Sequence, residues 1–229
     1  MIGVVIPVHN EAPVLGECLE AVARAACDAR LGREPVEVVV VLDACTDRSA
    51  AIAVRHGAQI VSLDARCVGA ARALGASYAL DAGARWLAFT DADTIVPDDW
   101  LYAQLAAATD VTCGSVGIED WSAHPYGVRE RFLERYGRTG DFHIHGANLG
   151  VSASAYRKGG GLQSLPLGED AALVTALVAV GQHVAWNAVP RVITSARWET
   201  TIPGGFASVL GGLREACLAE LTAAAPVAA

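Results

Sequence analysis

Four short runs of β-branched and apolar residues alternate with helix-like segments over residues 2 to 90, and this alternation limits the possible folds more than any other feature. The runs are Ile2–Val8, Val36–Leu42, Gln59–Leu63 and Trp86–Thr90. The second, VEVVVVL, is apolar almost without interruption, as is typical of a strand that is covered on both faces. Such alternation predicts a parallel sheet with right-handed crossover connections.

The segments between these runs have helical periodicity. They are Val14–Ala29, Asp47–His56 and Val68–Ala82. The second half of the sequence is less regular, and its predicted strands are Val111–Ile118, Asn148–Ser152, Val184–Trp186 and Arg191–Ser195. Its predicted helices are Gly127–Tyr136, Glu169–Val180 and Gly205–Leu221. No internal repeat or long linker divides the sequence, so we expect one domain, with a frayed tail, TAAAPVAA.

Composition favours a soluble cytoplasmic protein. The 229 residues are 53% hydrophobic and 18% charged, which suits one domain with a substantial core. A formal net charge of −8 disfavours general binding to nucleic acid or to anionic membranes. The six cysteines form no CxxC pair, as is typical of reduced core residues. The start lacks the basic region of a signal peptide and no stretch is long enough to span a membrane, so we expect at most peripheral membrane contact.

Polar and acidic residues directly follow three of the predicted strands. The first strand runs into His9-Asn10-Glu11, the second into Asp43-Ala44-Cys45-Thr46-Asp47, and the fourth into Asp91-Ala92-Asp93. Ligands of open α/β sheets bind beyond the carboxyl ends of the strands, so these groups should share one edge. Negative charges this close together repel unless a cation lies between them. Helix capping explains any one of the acids, but it explains a cluster of three less well.

Motifs of other phosphate-binding and hydrolytic folds are absent from the sequence. There is no GxGxxG after the first strand, no GxxxxGK[ST] and no GxSxG. A parallel sheet with acids along its rim instead suits a divalent cation that bridges phosphate oxygens. Mg²⁺ and Mn²⁺ prefer oxygen ligands, and one or two carboxylates together with substrate phosphates often hold them.

Five segments together resemble the GT-A-fold glycosyltransferases of the family 2 type. They are VVIPVHNEAPVLGECLEAV, VVVVLDACTDRSAAIA, VGAARALGASYAL, LAFTDADTIVPDDWL and LGEDAAL, and the resemblance runs from residue 2 to about residue 198. It implies a single GT-A domain over residues 1–203, with a Rossmann-like, mostly parallel sheet flanked by helices. Residues 1–118 would form the nucleotide-sugar-binding half and residues 119–203 the acceptor-binding half. A C-terminal helix and the frayed tail would occupy residues 204–229.

The resemblance also implies a donor site. The matching residues are Pro7, His9, Asn10, Glu11, Asp43, Gly69, Arg72, Asp91, Ala92 and Asp93. Glu11 would contact the base or the ribose, Asp43 the edge of the base, and Arg72 the base and diphosphate. Asp91 and Asp93 match the DXD pair, with the first toward the ribose and the second toward the metal. The pair is therefore the expected site for Mn²⁺ or Mg²⁺. A plain solvated arginine is the alternative for Arg72.

On the acceptor side, Asp170 matches the general base that removes the proton of the acceptor hydroxyl. Glu169 would support this base or bind the acceptor, and His145 and Asn148 are expected in the acceptor pocket. Two alternatives remain open. Asp170 begins a predicted helix and would also serve as a cap, and His145 together with His143 would also suit a metal-binding pair.

The sequence departs from the family pattern at one metal ligand. Many relatives carry a further metal-binding histidine after the base, whereas no histidine follows His183 here. The third protein ligand is therefore expected to be absent or replaced by water, and Arg197 is a candidate for direct contact with the diphosphate. Three other acids are interpreted as residues of helix starts, namely Asp47, Asp98 and Asp99.

We therefore expect a metal-dependent, hexosyltransferase-type enzyme that moves a sugar from a UDP- or GDP-linked donor to a hydroxyl of an unknown acceptor, with inversion. The alternatives are a retaining GT-A transferase of the glucosyl-phosphoglycerate synthase type and a non-catalytic nucleotide-sugar-binding protein. A nucleotidyltransferase is disfavoured, because the N-terminus lacks a glycine-rich arginine/lysine signature. Neither nucleic-acid binding nor an integral membrane segment is expected, and a homodimer is compatible with the sequence.

Overall fold

The computed structural model describes residues 1–136, 144–186, 190–199 and 204–224. Its strands are β1 (Ile2–Val8), β2 (Val36–Asp43), β3 (Gln59–Leu63), β4 (Trp86–Phe89), β5 (Thr94–Ile95), β6 (Val111–Cys113), β7 (Val116–Gly117), β8 (Leu149–Ser152), β9 (Val184–Trp186) and β10 (Val192–Thr194). Its α-helices are α1 (Leu15–Ala26), α2 (Ser49–Arg55), α3 (Val68–Asp81), α4 (Trp100–Ala106), α5 (Val128–Tyr136), α6 (Ala153–Lys158), α7 (Glu169–Ala179) and α8 (Phe206–Ala224). Short 3₁₀ turns lie at Ala29–Leu31 and Gly146–Asn148.

A seven-stranded sheet with the order β3-β2-β1-β4-β8-β6-β9 forms the centre of the fold. Strands β1 to β4 are parallel, β9 is parallel to β6, and β8 runs antiparallel to both β4 and β6. A second sheet has the order β5-β10-β7. The predicted α/β fold with a mostly parallel sheet flanked by helices is thus confirmed.

The described residues fall into two compact units. Unit 1 takes those within Met1–Gly117 and His143–Thr194, and unit 2 takes those within Ile118–Phe142 and Ser195–Ala229. Both sheets belong to unit 1. Unit 2 contains α5 and α8, which pack against each other around the aromatic side chains of Trp121, His124, Phe132, Tyr136, Trp198 and Phe206.

The core of unit 1 forms where α3 lies on β1 and β2. Val5, Val39 and Val41 are fully buried on these strands. A Cβ atom added to Gly75 of α3 would lie 2.5 Å from Val5 Cγ1 and 2.8 Å from Val41 Cγ2. The absence of a side chain at this position therefore lets the helix approach the sheet closely.

Several boundaries differ from those predicted, for local reasons. Helix α1 ends at Ala26, and the chain then forms the unpredicted 3₁₀ turn at Ala29–Leu31, capped by the side chain of Asp28. The predicted strand Val111–Ile118 divides into β6, which pairs with β8 and β9 in the large sheet, and β7, which pairs with β10 in the second sheet. Helix α6 was not predicted, although the Ser152 hydroxyl caps its first turn by accepting from Ala155 N.

The end of the chain is helical for longer than expected. Residues 222–224 of the predicted frayed tail lie in α8, where the Thr222 hydroxyl donates to Leu218 O. The remaining residues of that tail, 225–229, lie outside the described residues. Within the described part of the chain, no helix combines the length and apolar character that crossing a membrane requires.

The close approach at Gly75 provides a test of the packing. Gly75→Ala should lower the free energy of unfolding by about 1–3 kcal/mol, because an added methyl group overpacks the interface between helix and sheet. Gly16→Ala in α1 is the matched control, since its Cβ would find no atom closer than 3.9 Å. That variant should be neutral or more stable by up to about 1 kcal/mol. Urea unfolding followed by circular dichroism measures both, and equal stability of the two variants would contradict this packing.

Candidate functional site

The carboxyl ends of β2, β1 and β4 lie side by side, because these three strands are parallel neighbours in the sheet. The loops after β1 and β2 are joined by direct contacts. Asn10 Oδ1 accepts from Thr46 N at 2.8 Å and from Asp47 N at 3.2 Å. His9 Nδ1 donates to Asp43 O at 2.6 Å. The structure therefore brings the first two predicted polar segments together.

Asn10 and Glu11 have different surroundings within this edge. Asn10 is exposed and has a φ of 59°, a left-handed conformation that asparagine tolerates better than most residues. The N–H of Glu11 donates to Ser49 Oγ at 3.1 Å, which ties the loop to the first residue of α2. Asp47 acts as predicted at a helix start, because its Oδ1 accepts from Ser49 N at 2.9 Å. Pro7, which lies in β1 and also belongs to the predicted donor site, is partly exposed.

Asp43 is 4% exposed, and its carboxylate organises the loop that leads into α3. Oδ1 accepts from Ala65 N and Arg66 N, both at 2.8 Å, and Oδ2 accepts from Cys67 N at 2.7 Å. Burial opposes ionisation of this carboxyl, but the three N–H donors outweigh burial and lower the pKa of Asp43. Much of its hydrogen-bonding capacity is therefore used within the protein.

The segment Asp91-Ala92-Asp93 forms a tight turn between β4 and β5, in which Thr94 N donates to Asp91 O at 3.1 Å. Both aspartates are partly exposed, and Asp93 Oδ1 accepts from the Thr194 hydroxyl at 3.2 Å. Ala92, between them, is 4% exposed and offers little surface to a ligand. Burial of the Cys18 thiol, together with the charges of Asp91 and Asp93, raises its pKa to about 12.

Arg72 lies in the protein interior, with 5% exposure, and bridges two carboxylates. Its Nη2 donates to Asp91 Oδ1 and its Nη1 to Glu169 Oε1. Burial alone would lower the pKa of Arg72, but the charges of Asp91 and Glu169 outweigh burial and raise it. The side chain is therefore not solvated, which was the alternative that the sequence allowed for Arg72. Both of its Nη groups face carboxylates in the interior, and the expected contact of Arg72 with the base and diphosphate stays a prediction.

Gly69 has a packing role at the start of α3. Its N–H donates to Leu165 O at 3.1 Å, and a Cβ at this position would lie only 2.7 Å from Leu165 N. The glycine thus admits the loop around residue 165 against the first turn of the helix. This loop leads to α7, whose N-cap is Gly168 in the left-handed conformation.

The adjacent acids at the start of α7 have different environments. Glu169 is 2% exposed, and its burial raises its pKa while the charge of Arg72 opposes the rise. Asp170 is partly exposed, with Oδ1 accepting from Ala171 N and Oδ2 from Gly146 N, both at 2.7 Å. Of the two, Asp170 is the one with surface that a ligand could reach, and its assignment as the base stays a prediction.

The two residues predicted for the acceptor pocket are placed differently. His145 is partly exposed, whereas Asn148 is fully buried. Asn148 Oδ1 accepts from Trp100 Nε1 at 2.9 Å, and Nδ2 donates to Ser115 O and Pro190 O, both at 3.0 Å. Because Asn148 is buried, it has no surface for a ligand, and the expected contact with the acceptor is wrong. Its amide instead joins α4, Ser115 and Pro190. His143 lies outside the described residues.

The remaining polar residues considered in the sequence are Arg197, Asp98 and Asp99. Arg197 is exposed and belongs to unit 2. Asp98 pairs with Arg24 at 3.2 Å, and Asp99 occupies the N-cap position of α4 without a capping hydrogen bond from its side chain. Among the residues that the structure describes, no three His, Cys, Asp or Glu side chains converge as a metal-binding group. Any ion at Asp91 and Asp93 would therefore have to complete its coordination with other ligands.

Two contacts in the candidate site were not predicted from the sequence. Thr194 reaches Asp93 from β10, 101 residues further along the chain, and no motif marks it. Gly146 holds Asp170 through its N–H and lies against the Arg72 guanidinium, which a Cβ at position 146 would overlap. No sequence motif marks Gly146 either, because contacts between distant segments leave no local pattern.

Solved structures share this architecture. The mannosyltransferase PcManGT from Pyrobaculum calidifontis, in complex with GDP-Man and Mn²⁺, aligns with a TM-score of 0.61 and 18% identity over 99% of this chain and 76% of that chain. S. aureus TarS 1–349 in complex with UDP-GlcNAc aligns with a TM-score of 0.64 and 13% identity over 90% of this chain and 61% of that chain. The chain thus spans about three fifths of the TarS fragment. No curated protein matches the sequence.

The sequence also matches a family model. The model describes glycosyl transferase family 2, and the match covers residues 3–158, about two thirds of the chain. The match includes β1, β2 and β4 with the three polar segments that follow them. The chain therefore belongs to glycosyl transferase family 2 and is a glycosyltransferase with a GT-A fold.

Proposed function

We propose that this enzyme transfers a sugar from a nucleoside-diphosphate sugar to an acceptor hydroxyl, with a divalent cation at Asp91 and Asp93 and with inversion at the anomeric carbon. One observation carries the proposal. The carboxylate of Asp91 and the start of the helix that carries Asp170 are joined through Arg72, so a donor-side acid and a partly exposed base belong to one charged network. The neighbours solved with GDP-Man and with UDP-GlcNAc support a GDP- or UDP-linked donor.

The donor set at the end of β4 fits Mn²⁺ or Mg²⁺. Asp91 and Asp93 offer carboxylate oxygens, and both are partly exposed at the rim of the sheet. The single positive charge of Arg72 lies among the negative charges of Asp91, Glu169 and Asp170, which leaves an excess of negative charge. A divalent cation would offset this excess and, when bound, would stabilise the charge that develops on the departing diphosphate. The neighbour solved with Mn²⁺ supports this cation.

Asp170 is the proposed general base. As the acceptor oxygen forms its bond to the anomeric carbon, the hydroxyl proton passes to Asp170 and the bond to the nucleoside diphosphate breaks. Attack on the face opposite the leaving group inverts the anomeric configuration. The N–H of Gly146 and the N–H of Ala171 hold the carboxylate in place, and its partial exposure leaves room for an acceptor.

Other residues of the site have narrower proposed roles. Glu11 is proposed to contact the base or ribose, and the exposed Asn10 and partly exposed His145 remain candidates for ligand contact. Arg197, which is exposed in unit 2, remains the candidate for contact with the diphosphate. A retaining transferase and a non-catalytic nucleotide-sugar-binding protein are the competing functions. NMR of the anomeric product separates inversion from retention.

Donor binding can be tested by thermal unfolding. The protein is screened against UDP, GDP, dTDP and CDP, each with and without Mn²⁺. At 100 times its dissociation constant, a ligand adds about 2.7 kcal/mol, and for a protein of this size each kcal/mol raises Tm by roughly 2–4 °C. We expect one or two of the nucleotides to raise Tm by roughly 5–10 °C, and to do so only when Mn²⁺ is present. If no nucleoside diphosphate raises Tm, the proposed function is wrong.

The base is tested with Asp170→Asn. The amide cannot accept the proton of the acceptor, so kcat should fall by roughly 10²–10⁴-fold. Donor affinity should stay within about twofold, since the proposed donor contacts lie elsewhere. Asp98→Asn is the matched control, because Asp98 is exposed at a helix start and pairs only across the surface with Arg24. Undiminished transfer by Asp170→Asn would remove the base assignment.

A further inference from the structure

The bridge of Arg72, Asp91 and Glu169 joins two parts of the site that are far apart in sequence. Glu169 lies 97 residues from Arg72, and Asp91 lies 19 residues from it. One carboxylate stands at the end of β4 and the other in the first turn of α7. Arg72 and Glu169 are both buried, whereas Asp91 is partly exposed. The guanidinium thus links the interior to the rim at which a donor would bind.

Arg72 is connected to Asp170 by two routes. The first is covalent, since Glu169 directly precedes Asp170 in the same helical turn. The second passes through Gly146, which lies so close to the guanidinium that a Cβ at this position would overlap its Nη1 and Cζ atoms. The N–H of Gly146 donates to Asp170 Oδ2 at 2.7 Å. A change in the position of Arg72 would therefore shift the Asp170 carboxylate through α7 and through the hydrogen bond from Gly146.

We propose that Arg72 is a positioning residue, which fixes the Asp170 carboxylate relative to Asp91 through its contacts with Glu169 and Gly146. The inference rests on the proposed function, because the separation of Asp91 and Asp170 matters for transfer between donor and acceptor. An arginine suits this work better than a lysine. Its rigid planar fork donates to two carboxylates at once, whereas an ammonium group on a flexible chain acts as a point charge.

The first test separates positioning from donor binding. Glu169→Gln keeps the size of the side chain but removes the charge that holds one arm of Arg72. We expect kcat to fall about tenfold or more, because small errors in the position of a reacting group are costly. The Kd of the nucleoside diphosphate should stay within about twofold. Glu17→Gln is the matched control, since Glu17 lies exposed in the first turn of α1, and it should leave both constants unchanged.

A double-mutant cycle tests whether Arg72 carries the effect. If it does, Glu169→Gln should lower kcat/KM by a smaller factor in an Arg72→Lys background than in the wild-type enzyme. The kcat/KM of the double variant should then differ from the additive expectation by about fivefold or more. If Arg72→Lys fails to fold, the comparison of kcat and Kd in Glu169→Gln decides alone, because only kcat is expected to change. If Glu169→Gln keeps the wild-type kcat while Asp170→Asn is inactive, the positioning role of Arg72 is wrong but the proposed function stands.

A spectroscopic measurement tests the same network without any donor. The amide resonance of Gly146 reports on its hydrogen bond to Asp170, and ¹H–¹⁵N spectra should show it displaced in Glu169→Gln but unmoved in Glu17→Gln. A Gly146 resonance that stays in place in Glu169→Gln would overturn the inference. Because this measurement needs no ligand, it remains decisive even if no nucleoside diphosphate binds and the proposed function fails.

Discussion

A buried guanidinium that is shared by two carboxylates is the interaction on which the site depends. Removing a charged group from water costs several kcal/mol, and this cost is offset only when partners lie close and in good geometry. Arg72 has two such partners, because its Nη groups reach the carboxylates of Asp91 and Glu169. The carboxyl end of β4 and the start of α7 are consequently held at a fixed separation. Without this bridge, the buried carboxylate of Glu169 would carry an uncompensated charge.

Glycines make this arrangement possible, because they let backbone and charged groups approach one another. Gly146 leaves space for the guanidinium, and Gly69 admits the loop around residue 165 against α3. Gly75 in turn seats α3 closely on β1 and β2. Since Arg72 lies on α3, the packing of this helix on the sheet sets where the guanidinium lies relative to the strand ends. Fold and proposed chemistry are therefore linked through α3.

Much of the first half could be predicted from the sequence, because its signals are local. Strands β1 and β3 have the predicted bounds, since continuous or regular apolar runs identify strands without reference to the rest of the chain. The acids after β1, β2 and β4 were expected at one edge, since parallel neighbours in a sheet end together. These inferences needed only the order of the elements and the chemistry of single residues.

The remaining features depend on contacts between distant segments. The sequence left Arg72 open between a solvated and a nucleotide-facing side chain, and its burial follows from Glu169, 97 residues away. Asn148 was expected in the acceptor pocket, but its amide is buried and hydrogen-bonded to Trp100, Ser115 and Pro190. No periodicity or motif encodes such pairings. They become visible only when the chain is folded.

The most direct test of the account is a crystal structure of the wild-type protein with Mn²⁺ and the nucleoside diphosphate that raises Tm most. A Mn²⁺ anomalous peak is expected at the carboxylate of Asp93, with the diphosphate bound to the same ion beyond the carboxyl ends of β1, β2 and β4. Arg72 should remain between Asp91 and Glu169. A nucleotide bound away from this edge, or an ion that touches neither Asp91 nor Asp93, would contradict the account.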